Sequence, residues 1–179
     1  MSKGRTLRKG LLAVVILALL LVGWDTATTS MLSSTLKSQS QTVASSYVKL
    51  CAGDAQVLIT GTDGSPAERT ALQSIDVACR ALSEDGGDPV QETIALQKAL
   101  TALFNAEPPS LKKDPAYGAL REAALNPKGE VGLAMADYNV SAQRWNNRQK
   151  SLLGSVFGRE PILLLNTEGV PEFVTTIQL

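Results

Sequence analysis

Residues 11–23 read LLAVVILALLLVG, an apolar run with no charged or polar side chain. No other stretch restricts the fold so strongly. As an α-helix it spans about 20 Å at ~1.5 Å per residue, short of the ~30 Å hydrocarbon core of a bilayer. Its flanks extend it. Arg8 and Lys9 can carry their charges to the headgroups on apolar stems, Trp24 suits the interface, and residues 26–36 are uncharged. Three readings fit such a run: a membrane anchor, the apolar part of a cleaved signal peptide, or a buried helix of a soluble protein. The anchor is favoured because no small-x-small cleavage site follows. Cleavage after Ala27 would place Asp25 in a slot that needs a small residue.

Charge agrees with the anchor. The formal net charge is zero, but Lys3, Arg5, Arg8 and Lys9 all precede the first acid, Asp25, so the rest of the chain holds 13 basic against 17 acidic residues. The basic end is expected in the cytoplasm and the body outside it. A mildly acidic body argues against a nucleic-acid partner. Outside the cytoplasm Cys51 and Cys79 can form a disulfide; the plainer alternative is two small buried thiols on helix faces.

Aromatics make up 4% of the chain against 44% apolar residues. A core built mainly from Leu, Ala, Val and Ile suits helix-on-helix packing. Helix signals recur along the body. Ala44, Tyr47, Cys51, Ala55 and Leu58 repeat at threes and fours before the break at residues 61–64 (GTDG). Ser65-Pro66-Ala67-Glu68 is a capping box with Pro at the first helical position, followed by a stripe of Leu72, Ile75, Cys79 and Leu82. Asp88-Pro89 opens a helix with a broad apolar face, and Asp114-Pro115 opens another, which residues 126–129 (NPKG) interrupt. Beyond that break Val131, Met135, Tyr138, Ala142, Trp145, Gln149, Leu152 and Val156 alternate by four and three, the 3.5-residue period of a coiled-coil seam. The rings of Tyr138 and Trp145 lie on the seam, with Asn139 and Asn146 on its flank. There an amide can fix the register of a neighbouring helix or, alternatively, line a ligand groove. After Gly158 the helical stripe ends. The tail is expected to run back along the helices, or to offer residues 162–165 (ILLL) to a partner or the membrane surface.

The stretch carrying Tyr138-Asn139, Gln143-Arg144-Trp145-Asn146, Leu153-Gly154 and Val156-Phe157-Gly158 resembles the LemA family of bacterial membrane proteins, in which a paired Tyr-Asn repeat precedes a Gly and a Phe-Gly ending. Residues 105–120 (NAEPPSLKKDPAYGAL) resemble the link upstream of that repeat. The likeness covers roughly residues 100–173. Trp145 stands where the family has a second Tyr, and the first helix lacks the family's Arg-rich segment. The resemblance implies one anchoring segment and a long antiparallel helical bundle, and no activity carried by named residues.

Searches for chemistry end empty. There is no histidine, hence no common general base and no Cys-His zinc site. No Gly-rich phosphate loop is present. Arg144, Arg148, Lys150 and Arg159 form a basic group that reads as a solvated face near a helix C-terminus or, alternatively, as an anion or lipid-headgroup site. The expectation is therefore an all-α protein: a basic N-terminus (1–10), a transmembrane anchor (11–24), an antiparallel bundle of about four helices (25–158) and a C-terminal tail (159–179). It sits in a bacterial cytoplasmic membrane with its body outside. It is not an enzyme and needs no cofactor or metal. Its expected partners are the lipid bilayer, another membrane or envelope protein, and a second copy in a homo-oligomer. The alternative is a ligand-sensing bundle with a groove near Trp145.

Overall fold

The computed structural model describes residues 3–61, 65–84, 86–150 and 160–165, with side chains from Val14 onward. Among the described residues the chain is helical and has no strand. Its α-helices are α1 (Lys3–Leu50), α2 (Gln56–Gly61), α3 (Pro66–Ser83), α4 (Pro89–Ala106), α5 (Pro115–Leu125) and α6 (Glu130–Gln149). A π-helical turn, Cys51–Ala55, joins α1 to α2, and a 3-10 turn, Leu111–Lys113, precedes α5.

The 48 residues of α1 are unbroken, about 70 Å of helix at ~1.5 Å per residue. Much of this helix is Ser- and Thr-rich, a composition of modest helix propensity. Its hydroxyls are satisfied by bonding back to the preceding turn: Thr26 to the carbonyl of Val22 (2.8 Å), Thr29 to Asp25 (2.7 Å), Thr35 to Met31 (2.9 Å) and Thr42 to Ser38 (3.0 Å). A hydroxyl satisfied within its own helix asks for no outside partner.

The starts of α3, α4 and α5 follow from local chemistry. Ser65 and Glu68 complete the capping box reciprocally. The Asp88 and Asp114 carboxylates accept from the amides of Val90 (3.0 Å) and Ala116 (2.9 Å), and each helix has Pro at its first position. The turn between α5 and α6 is tight. Gly129 donates to the carbonyl of Asn126 (3.0 Å), and Asn126 and Pro127 press against Gly132, leaving no room for a Cβ there.

α1 packs on α6 and α4, and α3 packs on α4. α1 and α6 run antiparallel: Asp25 meets Arg148 (3.1 Å) at one end and Lys49 meets Glu130 (2.6 Å) at the other. The core between them holds Leu36, Val43, Tyr47, Leu96, Leu103, Val131, Met135, Tyr138 and Ala142. The seam of α6 is thus buried from Val131 through Ala142, then half-buried at Trp145. Leu152 and Val156 lie outside the described residues. At the centre Gln97 donates to the Tyr47 hydroxyl (3.0 Å), and that hydroxyl in turn lies 3.6 Å from the Met135 sulfur. This polar contact ties α1, α4 and α6 at one level.

At the end of α1 remote from the N-terminus, Cys51 and Cys79 form a disulfide across 28 residues. It joins the π-helical turn, where Gly53 departs from helical backbone (φ −95°, ψ −108°), to α3. A loop of that length corresponds to about 3–4 kcal/mol on the chain-entropy model. Reduction, or the double variant Cys51→Ser/Cys79→Ser, should lower the unfolding free energy of the body by about that amount. Urea titrations followed by circular dichroism with and without reductant would measure it.

Candidate functional site

The C-terminal half of α6 carries an unusual set of contacts. Residues 160–165 (EPILLL) form an extended segment lying along it, and seven hydrogen bonds join five α6 side chains to this segment's main chain. Asn146 accepts from the amide of Ile162 (2.8 Å) and donates to its carbonyl (2.8 Å). Asn139 does the same at Leu165, accepting from its amide (2.8 Å) and donating to its carbonyl. The indole of Trp145 donates to the carbonyl of Glu160 (3.1 Å), and the Tyr138 hydroxyl donates to that of Leu163 (3.2 Å). Gln149 adds a further donor to Glu160.

The contacts repeat. A step of seven along α6, from 138 to 145 or from 139 to 146, matches a step of three in the opposite direction along the segment. Seven helical residues rise about 10.5 Å at ~1.5 Å each. Three extended residues rise about 10 Å at ~3.3 Å each. The two repeats therefore stay in phase over the contact. Each Asn offers one carbonyl and one NH2, which complement the N–H and C=O of a single main-chain residue.

This places the paired aromatic-Asn motif. Tyr138 is 1% exposed and Trp145 half-buried, so the rings pack inward while their polar tips reach the segment. Asn139 and Asn146 bond the extended main chain at Leu165 and Ile162, where the pattern offered a neighbouring helix as one partner. Gly154, Phe157 and Gly158 lie outside the described residues. The segment's partner was not legible because the bonds go to main-chain atoms, which any side chain can flank. The heptad spacing of two Asn was the available signal.

Beside the docked segment runs a groove of about 750 Å³. Its walls are α1 (Leu36, Lys37), the start of α4 (Asp88, Val90) and Trp145 with Ile162. Burial pushes the Tyr138 phenol up to about 12, and the Asp88 carboxylate adds to the effect. Burial also pushes Tyr47 up to about 12, partly offset by the hydrogen bond from Gln97.

The other contact that sequence reading missed is the ion pair of Arg148 with Asp25. The Asp25 side chain is 7% exposed, and Arg148 also bonds the Thr28 hydroxyl. Arg148 read as a solvated charge because its partner lies 123 residues away. The signal was Asp25 itself, a lone acid at the end of an apolar run, where an unpaired charge is costly.

Among the described residues no group of three His, Cys, Asp or Glu side chains could hold a metal. No protein-family model matches the chain, and neither a characterised protein nor a solved structure does so.

Two outcomes follow from this geometry. Asn146→Ala should remove both bonds at Ile162 and cost about 1–3 kcal/mol in local opening. Hydrogen exchange should show lost protection at the Ile162 amide, with less loss at Leu165; Asn139→Ala should reverse the order. The tyrosines set an alkaline limit. Folded phenols at about 12 against an ordinary value of 10 favour the neutral form, so their contribution is complete below pH 10 and disappears as pH rises through 12. Between pH 10 and pH 12 each phenol should lose stabilisation on the order of 1–3 kcal/mol. Tyr138→Phe should flatten the fall in unfolding free energy between pH 9 and pH 11.

Proposed function

We propose that this chain is a single-pass membrane protein of LemA type whose antiparallel helical bundle acts without catalysis, as a scaffold for or modulator of a membrane protein complex. One observation carries the reading. From Val14 to Trp24 every side chain of α1 is exposed, including Val15, Ile16, Leu17, Leu19, Leu20 and Leu21, whereas Asp25 is 5% exposed. The same continuous helix is apolar and uncovered on one side of that point and packs against α6 on the other. Such an exposed apolar cylinder is stable only when something apolar surrounds it, and a bilayer supplies that all round.

The basic residues before the span favour a cytoplasmic N-terminus, in a bacterial cytoplasmic membrane with the body outside. The Cys51–Cys79 bond suits that compartment. The face of α6 that carries exposed Leu133 and Val140, a heptad apart, is the surface on which a protein partner would be sought first. The reading assigns the body no reaction.

A second reading rests on the groove beside Trp145. At about 750 Å³ it falls within the ~300–1,000 Å³ range of small-molecule sites, and its occupancy would be felt by the docked segment.

The test combines location and capture. The chain should remain with membranes through alkaline carbonate extraction. A photo-cross-linker at Leu133 or Val140 in intact cells should trap one recurrent membrane protein. Release by carbonate would refute the anchor. An empty capture, together with quenching of Trp145 fluorescence by a metabolite in a Trp24→Phe background, would favour the groove over the scaffold.

A further inference from the structure

On the opposite side of the α1–α6 pair from the docked segment, a cleft of about 640 Å³ opens between the two helices. α1 contributes Thr28, Met31, Leu32 and Thr35, and α6 contributes Ser141, Arg144, Asn147 and Arg148. We propose that this cleft binds the headgroup of an anionic phospholipid, a phosphate monoanion at the bilayer surface. The proposal rests on the membrane reading above and adds to it a site and a ligand class.

The first support is position. Arg148 meets Asp25, the residue after the last fully exposed apolar turn. Arg144 lies one turn further out, about 6 Å at ~1.5 Å per residue. The polar layer of one leaflet is about 5–8 Å deep, half the difference between the full bilayer and its hydrocarbon core. Both guanidinium groups therefore belong to elements at headgroup level when residues 14–24 are in hydrocarbon.

The second support is chemistry. Asp25 and Thr28 fix the Arg148 guanidinium at the cleft's inner wall. Arg144 is exposed at its rim, and the Asn147 side chain adds an amide donor. Guanidinium planes match phosphate oxygens in pairs.

Charge distribution agrees. Residues 25–37 and 141–150, with Glu160 bonded to Trp145 and Gln149 at the same level, hold Lys37, Arg144, Arg148 and Lys150 against Asp25 and Glu160. The rest of the body beyond residue 25 holds nine basic against fifteen acidic residues. An acidic body with a basic base is drawn to an anionic surface at that base and repelled elsewhere.

The experiment uses the full chain in nanodiscs of phosphatidylcholine containing phosphatidylglycerol, followed by mild detergent extraction and counting of retained lipids by mass spectrometry. Wild type should retain phosphatidylglycerol over phosphatidylcholine. Arg144→Gln should reduce that preference about fivefold, while Lys37→Gln, facing the other groove, should leave it unchanged. The arginine comparison also cancels attraction from the N-terminal basic residues, which lie beyond the other end of the span. Equal retention in wild type and Arg144→Gln overturns the site. A rise in unfolding midpoint with inorganic phosphate in pure phosphatidylcholine discs, again abolished by Arg144→Gln and without lipid preference, assigns the cleft to a soluble anion and overturns the headgroup. Failure of the chain to enter nanodiscs at all overturns the membrane reading instead.

Discussion

Seven residues of α-helix and three of extended chain advance by nearly the same distance, and the C-terminal half of α6 depends on that coincidence. It lets Tyr138, Asn139, Trp145 and Asn146 bond the main chain of residues 160–165 while Leu165 packs into the core. An extended segment cannot satisfy its own amides, and against a helix it finds no free backbone to pair with. The asparagines resolve both problems, because a side-chain amide has the donor and acceptor of a peptide group. The rings resolve the packing. They fill the space beneath the segment and still present a donor at their edges.

What could be read in the sequence divides by range. Ser65, Asp88 and Asp114, each followed by Pro, marked three helix starts because a cap and its amide are two or three residues apart. The stripe of Leu72, Ile75, Cys79 and Leu82 was legible for the same reason, since periodicity is local. The seam of α6 was legible as a period, but its reading as a helix–helix register device stopped short. Asn139 and Asn146 bond a segment without periodicity, and nothing in Ile162 or Leu165 announces a main-chain contact. The pairing of Arg148 with Asp25 and the joining of Cys51 to Cys79 needed tertiary geometry, which spacing does not contain.

α1 gives the molecule its axis. Its hydroxyl-bearing turns close on their own carbonyls, so the helix crosses from an exposed apolar surface to a packed one without a break. The pairing of Asp25 with Arg148 stands at that crossing. A buried ion pair is a weak source of stability but a strong constraint on register, because any sliding of α6 along α1 leaves a carboxylate stranded. At the far end the disulfide joins the π-helical turn to α3, and Lys49 with Glu130 adds an exposed ion pair worth little by itself. The register is thus held most firmly where the body begins.

That distribution decides which parts can move together. α6 is tied to α1 at Asp25, tied at mid-height by Tyr47, Gln97 and Met135 through α4, and tied to the extended segment along its last three turns. A force or ligand acting on the segment therefore reaches α6 through seven bonds spaced along the helix, not through one. The side chains of the segment share in holding that register: Leu165 is 3% exposed in the core, and Ile162, Leu163 and Leu164 pack against it. Sliding the segment along α6 would break the hydrogen bonds and unseat these side chains together, so the contact resists small shifts through both.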